Sequence, residues 1–136
     1  MDGSIGPQLR ATLQRCIDDL LSAEPGVVGA MVCTSDGFDV AAALPDGWSP
    51  ATLAAMASSQ LALSDALCRE AQLGACRDLV VDAEAGKVLV MEVPNSARGL
   101  LLAAIGNTRH TLGQVLYACK AAAGEIGERL AADGHG

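Results

Sequence analysis

Residues 26–44 read GVVGAMVCTSDGFDVAAAL, and this stretch predicts two antiparallel strands joined by a tight turn. Residues 27–34 are almost continuously apolar, which is typical of a strand that is buried on both faces. Asp36-Gly37 follows, a pair that favours a hairpin turn because glycine readily adopts positive φ. Residues 38–44 return as the second strand. The sequence therefore predicts a β-hairpin near the start of the chain.

A helix is predicted on each side of this hairpin. Residues 8–23 carry apolar side chains at three- and four-residue steps, and Pro25-Gly26 ends the pattern. Ser49-Pro50 offers an N-cap and a first-turn proline for a second helix that reaches about residue 72. Its apolar face is predicted to comprise Leu53, Met56, Ala57, Gln60, Leu61, Ser64, Leu67, Cys68 and Ala71.

Three more strands and a third helix are predicted in the second half of the chain. Residues 77–83, 87–93 and 98–106 are strand-like and are separated by short turns that contain Gly86 or Pro94. Thr111 can cap a last helix, and residues 131–136 are expected to form a frayed tail. Strands joined by short hairpins form an antiparallel sheet, so the order αββαβββα indicates an α+β sandwich.

The composition suits one domain. The 136 residues fall within the usual range for one domain, and residues 9–130 are predicted to form its core. Phe38, Trp48 and Tyr117 are the only aromatic residues, although 51% of the chain is hydrophobic. Aliphatic side chains must therefore fill the core, and the abundant alanines allow helices to approach closely, within or between chains.

The charge balance excludes two classes of partner. Nine Lys and Arg against 16 Asp and Glu give a net charge of −7, which disfavours nucleic acid and an acidic membrane surface. The first ten residues lack the basic and apolar regions of a signal peptide, and no apolar run is long enough to span a bilayer. We expect a cytoplasmic protein that does not insert into membranes.

No catalytic, metal or cofactor site is evident in the sequence. The five cysteines lack any Cys-x-x-Cys motif and are expected to be free thiols, although Cys68 and Cys76 could approach each other at the end of the long helix. Phosphate-binding glycine motifs and a Gly-x-Ser-x-Gly elbow are absent. A nucleophilic pair of Cys76 and His110 is the one enzyme hypothesis that stays open. The scarcity of aromatics argues against a ligand pocket, so a binding or assembly module is favoured.

The order of motifs resembles the roadblock/dynein light chain family. Residues 26–32, followed by Asp36-Gly37-Phe38 and Val40-Ala41, are similar to the family's first strand and hairpin. Residues 53–57 resemble its alanine-rich central helix, and Leu112-Gly113 leads into a similar closing helix. The resemblance extends over about residues 9–130.

The resemblance implies a profilin-like fold and a regulatory role. The fold is a five-stranded antiparallel sheet with one long central helix on one face and two terminal helices on the other. Family members are non-enzymatic partners of small Ras-like GTPases, some acting as GTPase activators, or light chains of larger assemblies. The chain is therefore expected to be a bacterial regulator that acts on a GTPase without catalytic residues of its own. A structural scaffold indifferent to nucleotide is the alternative.

The resemblance also implies a homodimer, formed by pairing of the third strand with its copy beside the central helices. Residues 77–83 would be an edge strand without a proline to block pairing, although Arg77 and Asp78 could instead protect that edge. The candidate dimer residues are Arg77, Leu79, Val80, Val81, Ala54, Ser58 and Leu61.

The resemblance also implies that the GTPase meets the central-helix side of the dimer. The candidate contact residues there are Ser59, Leu63, Asp65, Ala66 and Arg69. An arginine finger would have to come from Arg69, Arg77, Arg98 or Arg109, none of which stands in a distinctive motif. Trp48 lies in a turn and is either an interface anchor or a cover over one end of the core.

Overall fold

A computed structural model describes residues 5–96 and 99–132. The elements follow the predicted order: α1 (Pro7–Ala23), β1 (Val27–Thr34), β2 (Asp39–Ala43), α2 (Pro50–Glu70), β3 (Asp78–Ala83), β4 (Gly86–Glu92), β5 (Leu100–Gly106) and α3 (Leu112–Ala132). The predicted α+β class and its five strands are confirmed.

The five strands form one antiparallel sheet with the order β2-β1-β5-β4-β3. The hairpin strand β1 lies between β2 and β5, so both of its edges are bonded. The two outer strands are β2 and β3, and each has one edge that no other strand covers.

Helices α1 and α3 cover one face of the sheet and α2 covers the other, as predicted. Side chains of α1 and α3 pack together with Ala30 and Val32 of β1 in the larger core. The neighbouring residues Met31 and Cys33 point to the other face and pack against α2 in a smaller core. This alternation explains why residues 27–34 are apolar almost throughout, because β1 is buried on both faces.

Side-chain caps fix the starts of α2 and α3 at the predicted residues. The Ser49 hydroxyl accepts a hydrogen bond of 3.2 Å from the Thr52 backbone N–H. At α3, the Thr111 hydroxyl accepts from the Gln114 N–H at 3.1 Å, and the Gln114 side chain accepts from the Thr111 N–H at 3.0 Å. This reciprocal pair is a capping box, which satisfies N–H groups that the helix leaves without partners.

Several boundaries differ from the predicted ones. Helix α2 ends at Glu70, before the predicted residue 72, because Gln72 has a φ of 62° and Gly74 a φ of 86°, which reverse the chain. Residues 131 and 132 continue α3 and are not a frayed tail, while 133–136 lie outside the described residues. Strand β5 begins at Leu100, and the predicted start at residue 98 also lies outside them.

The part of α2 that the sheet covers differs from the predicted apolar face, which includes Ala57 and Leu61 but neither Ala54 nor Ser58. The buried residues of the helix are Ala54, Ala57, Ser58 and Leu61, most of them small, which lets α2 lie close to the sheet. Met56 and Leu67 belong to the predicted face but are 61% and 68% exposed. Among the described residues, no helix is both long and apolar enough to cross a membrane.

Candidate protein–protein interface

The outer edge of β2 is closed by side chains of α1. Arg10 Nη1 donates to the Val40 carbonyl oxygen at 2.8 Å, and Gln14 Nε2 donates to the Ala42 carbonyl oxygen at 2.9 Å. The pairing of β1 with β2 also shifts register opposite Val32 and Cys33, which marks a β-bulge. Occupied carbonyls and a bulge are both ways to stop an edge strand from pairing with another chain.

The edge of β3 is open by comparison. The strand pairs with β4 on one side, from Asp78 opposite Met91 to Ala83 opposite Gly86. Lys120 of α3 contacts the Asp78 carboxylate at 3.2 Å, at the start of the strand. Within residues 5–96 and 99–132, no side chain donates a hydrogen bond to a carbonyl oxygen of residues 79–83. The charged contact at Asp78 therefore leaves the rest of the edge available.

An apolar groove lies between α2 and the β3 side of the sheet. Its volume is about 210 Å³. The groove exists because α2 packs over β1, β2, β4 and β5, whereas Leu79 of β3 is only partly buried against the smaller core. The lining residues come from α2 and from β1, β3, β4 and β5; they are Met31, Leu53, Met56, Ala57, Gln60, Leu79, Val81, Val88, Val90, Ala103 and Ile105.

A stripe of exposed apolar residues on α2 continues this groove. Met56, Leu63 and Leu67 are spaced by seven and four residues, which places them on one side of the helix. They are 61%, 66% and 68% exposed. We call the stripe, the groove and the β3 edge together the β3–α2 surface. Contiguous exposed apolar area beside an open strand edge is typical of a site for protein association.

Four of the predicted dimer residues lie in or next to β3, and the other three lie on α2. Arg77 is exposed, and Leu79 and Val81 line the groove. Val80 points to the opposite face and packs, half-buried, against the core under α1 and α3.

Three predicted dimer residues, all on α2, lie inside the chain. Ala54, Ser58 and Leu61 are only 0%, 8% and 6% exposed because they pack against the chain's own sheet. They offer no surface to a partner, and the sequence prediction is corrected at these positions. The sequence prediction did not place Met56 and Leu67 on an exposed surface, although their helical spacing with Leu63 could have indicated the stripe.

The predicted GTPase-contact residues lie in the later part of α2, between residues 59 and 69, but not all of them face the solvent. Ser59, Leu63 and Ala66 are exposed. Asp65 is partly buried, and its carboxylate accepts from Arg69 Nε and from the Cys76 backbone N–H, both at 2.8 Å. The bond from Arg69, and then the bond from the Cys76 N–H, hold the pKa of Asp65 below its usual value. Asp65 therefore ties the end of α2 to the turn before β3.

The hypothesis of a Cys76–His110 pair is wrong. Cys76 lies two residues before Asp78, which pairs with Met91. The His110 carbonyl accepts from Lys87 Nζ at 3.4 Å, so His110 lies near the other end of β4. Lys87 and Met91 are separated by about 14 Å along the strand, at roughly 3.4 Å per residue. The two side chains therefore belong to opposite ends of the sheet.

The other candidate residues are dispersed. Arg109 lies in the loop before α3, where its backbone N–H donates to Asn107 Oδ1 at 3.1 Å, and Arg98 lies outside the described residues. Trp48 is 43% exposed in the loop between β2 and α2. In the described ranges, no three His, Cys, Asp or Glu side chains are grouped so that they could hold a metal ion.

Comparison with solved structures identifies the fold. An MglB with tetrameric arrangement has 21% identity and a TM-score of 0.78, with 90% of each chain covered. Myxococcus xanthus MglB has 14% identity, a TM-score of 0.79 and the same coverage. A Roadblock/LC7 domain from Streptomyces avermitilis has 19% identity and a TM-score of 0.76, with 87% of this chain and 97% of that chain covered.

The sequence itself establishes the family. A search of curated proteins finds no match. The model of the Roadblock/LC7 domain matches residues 13–106, from the first helix to the end of β5 and including the hairpin and central helix that carry the resemblance. The chain therefore belongs to the Roadblock/LC7 domain family.

Proposed function

We propose that the chain is a non-catalytic adaptor that forms a two-fold homodimer through β3 and binds a small Ras-like GTPase on the outer side of α2. The observation that carries this proposal is the difference between the two sheet edges. One is closed by Arg10 and Gln14, and the other is open and flanked by exposed apolar residues.

Antiparallel pairing of β3 with its copy would satisfy the backbone groups of that edge. Such pairing is isologous, since the same residues of both chains meet around a two-fold axis. It would also bring the two apolar grooves together, so that Met56 and Val81 of each chain lose contact with water. Removal of apolar surface from water is the main favourable contribution to association of this kind.

The GTPase surface that we propose centres on Leu63, with Ser59 and Ala66 beside it. All three are exposed on the side of α2 away from the sheet. Arg69 Nε contacts the Asp65 carboxylate at 2.8 Å, and this exposed pair competes with any role of the guanidinium as a finger on a nucleotide. We propose that any stimulation of hydrolysis comes from reshaping the GTPase's own active site, since none of the four candidate arginines stands in a distinctive motif.

The dimer is tested by comparing two exposed valines on strands. Val81→Arg places a charge in the groove, whereas Val28→Arg places the same charge on β1, at a site that is equally exposed (42% against 40%). In light scattering after size exclusion, wild type and Val28→Arg are expected at twice the 13.8 kDa chain mass, and Val81→Arg at the chain mass. A dimeric Val81→Arg would contradict pairing through β3. This comparison is cleaner than Val80→Asp, which would also disturb the core.

The proposed GTPase partner is tested by using the tagged protein to capture binding proteins from the native lysate, in the presence of GDP or a non-hydrolysable GTP analogue. We expect a small Ras-like GTPase to be retained mainly with the analogue. Equal retention with both nucleotides would indicate a scaffold instead of a regulator. Retention of no GTPase would contradict the proposed partner without affecting the dimer.

A further inference from the structure

Three of the five cysteines are core residues. Cys16, Cys33 and Cys119 are 3%, 0% and 0% exposed. Burial raises the pKa of the Cys33 thiol to about 11 and that of the Cys119 thiol to about 12. Since the thiolate is the reactive form, these thiols are inert at neutral pH. They can therefore serve as internal controls for oxidation of the other two cysteines.

The two remaining cysteines are partly exposed and are neighbours. Cys68 lies in the last turns of α2, and Cys76 lies just before β3. The Cys76 N–H donates to the carboxylate of Asp65, which lies one helical turn before Cys68, so Cys76 is held beside the end of the long helix. Burial, and then the neighbouring Cys68 thiol, raise the pKa of the Cys76 thiol.

Backbone and side-chain hydrogen bonds hold these two cysteines in place. The Leu73 N–H donates to the Cys68 carbonyl oxygen at 2.8 Å, and the Cys76 N–H donates to Asp65 Oδ1 at 2.8 Å. Between them, Gln72 and Gly74 adopt positive φ and fold the chain back on itself. The turn therefore returns the chain at Cys76 to the last turns of α2, where Cys68 lies.

We propose that Cys68 and Cys76 form a dithiol that a low-molecular-weight disulfide oxidises to an intramolecular disulfide. A metal is not the better occupant, because no group of three ligands forms around these thiols in the described part of the chain. The site goes beyond the proposed function, since its chemistry requires neither a GTPase nor a second chain.

The reaction is two successive thiol–disulfide exchanges. The Cys68 thiolate attacks one sulfur of the small disulfide, forms a mixed disulfide and releases one small thiolate. Cys76 then loses its proton and attacks Sγ of Cys68, which releases the second small thiolate. Two protein thiols are oxidised, one small disulfide is reduced to two thiols, and the two protons pass to the leaving thiolates. Cys76 suits the second step because its raised pKa disfavours it as the first nucleophile.

The bond would join the last turns of α2 to the residue pair that precedes β3. It would lie beside Leu67 and Arg69 on the helix and beside Asp78 at the start of the edge strand. Oxidation would therefore fix the relative positions of the two elements that form the β3–α2 surface.

The test is oxidation of the folded full chain by glutathione disulfide, followed by alkylation of remaining thiols in denaturant and tryptic mass spectrometry. Trypsin cleaves after Arg69 and Arg77, and residues 16–69 contain no other Lys or Arg, so a Cys68–Cys76 disulfide joins peptides 16–69 and 70–77. We expect this joined pair, at a mass lower by two hydrogen atoms, with Cys16, Cys33 and Cys119 alkylated.

Matched variants separate the proposal from its alternatives. Cys68→Ser should stop the joined peptides from forming, whereas Cys33→Ser should leave them unchanged. Joined peptides that persist in Cys68→Ser, a disulfide between two chains on a non-reducing gel, or glutathione adducts that never resolve in the wild type would each overturn the proposal. Because the assay reads covalent bonds, failure to capture a GTPase would not affect its outcome.

Discussion

Gly127 in α3 allows one of the closest approaches in the fold. A Cβ at this position would overlap the Pro94 carbonyl oxygen, in the turn that joins β4 to β5. Three residues earlier on the same helix, a Cβ at Gly124 would meet no atom within 4 Å. Two glycines of one helix thus occupy sites with opposite steric demands.

We predict that Gly127→Ala lowers the free energy of unfolding by about 1–3 kcal/mol, as overpacking does. Gly124→Ala should instead raise it by up to about 1 kcal/mol, because alanine favours the helix over glycine. Urea unfolding followed by circular dichroism measures both. Equal effects of the two substitutions would contradict the close contact with Pro94.

Asp65 is predicted to make the turn before β3 sensitive to acid. Its pKa in the folded chain is lowered, so its stabilising contribution is present above the unfolded-state pKa, near 3.9, and is lost as the pH falls through the lower folded value. The amide proton shift of Cys76 should follow this titration in NMR spectra. In Asp65→Asn, which keeps an oxygen acceptor but no titratable carboxyl, the shift should stay constant. An unchanged titration in that variant would assign it to another group.

At the scale of elements, the strand β2 owes its closed edge to two side chains of a helix. Removing both in Arg10→Ala/Gln14→Ala should free the Val40 and Ala42 carbonyls for another chain. We predict that sedimentation velocity then reveals species larger than those of the wild type. The control is Thr12→Ala/Arg15→Ala, which removes a surface contact of the same helix and leaves the bonds from Arg10 and Gln14 to β2 intact. Identical sedimentation of all three proteins would show that the bonds from Arg10 and Gln14 to β2 do not control association.

Elements follow from the sequence where their signals are local. The Ser49 and Thr111 caps and the Asp36-Gly37 turn act over two to four residues, so the neighbouring residues alone indicate them. The bond from Arg10 to Val40 spans 30 residues, and no local pattern reveals it. On α2, apolar residues cover both the sheet-facing side and the exposed stripe, so periodicity could not tell Ala54 from Met56. The candidate site was therefore predicted in its strand and only partly in its helix.

At the scale of the whole molecule, the proposed GTPase surface and the proposed dimer contact lie at different positions along the same side of α2, the first around Leu63 and the second around Met56. Leu63→Arg should weaken GTPase binding about 10-fold or more, as loss of a central interface residue does, while the protein stays dimeric. Leu112→Arg, at an exposed leucine on α3, is the matched control. Titration by isothermal calorimetry measures the affinity, and light scattering checks the dimer. An unchanged affinity would remove Leu63 from the proposed surface, whereas a monomeric variant would merge the two surfaces into one.

The unequal edges of the sheet also have a meaning in terms of polymer chemistry. A monomer with two reactive ends grows without limit, whereas a monomer with one reactive end can only couple once and terminate. With its β2 edge covered by Arg10 and Gln14, this chain would be a unit with one reactive end, and the proposed coupling through β3 would stop at two chains. The α1 side chains that cover β2 would then prevent further strand pairing. The backbone hydrogen bonding that builds fibrils would be limited to one step.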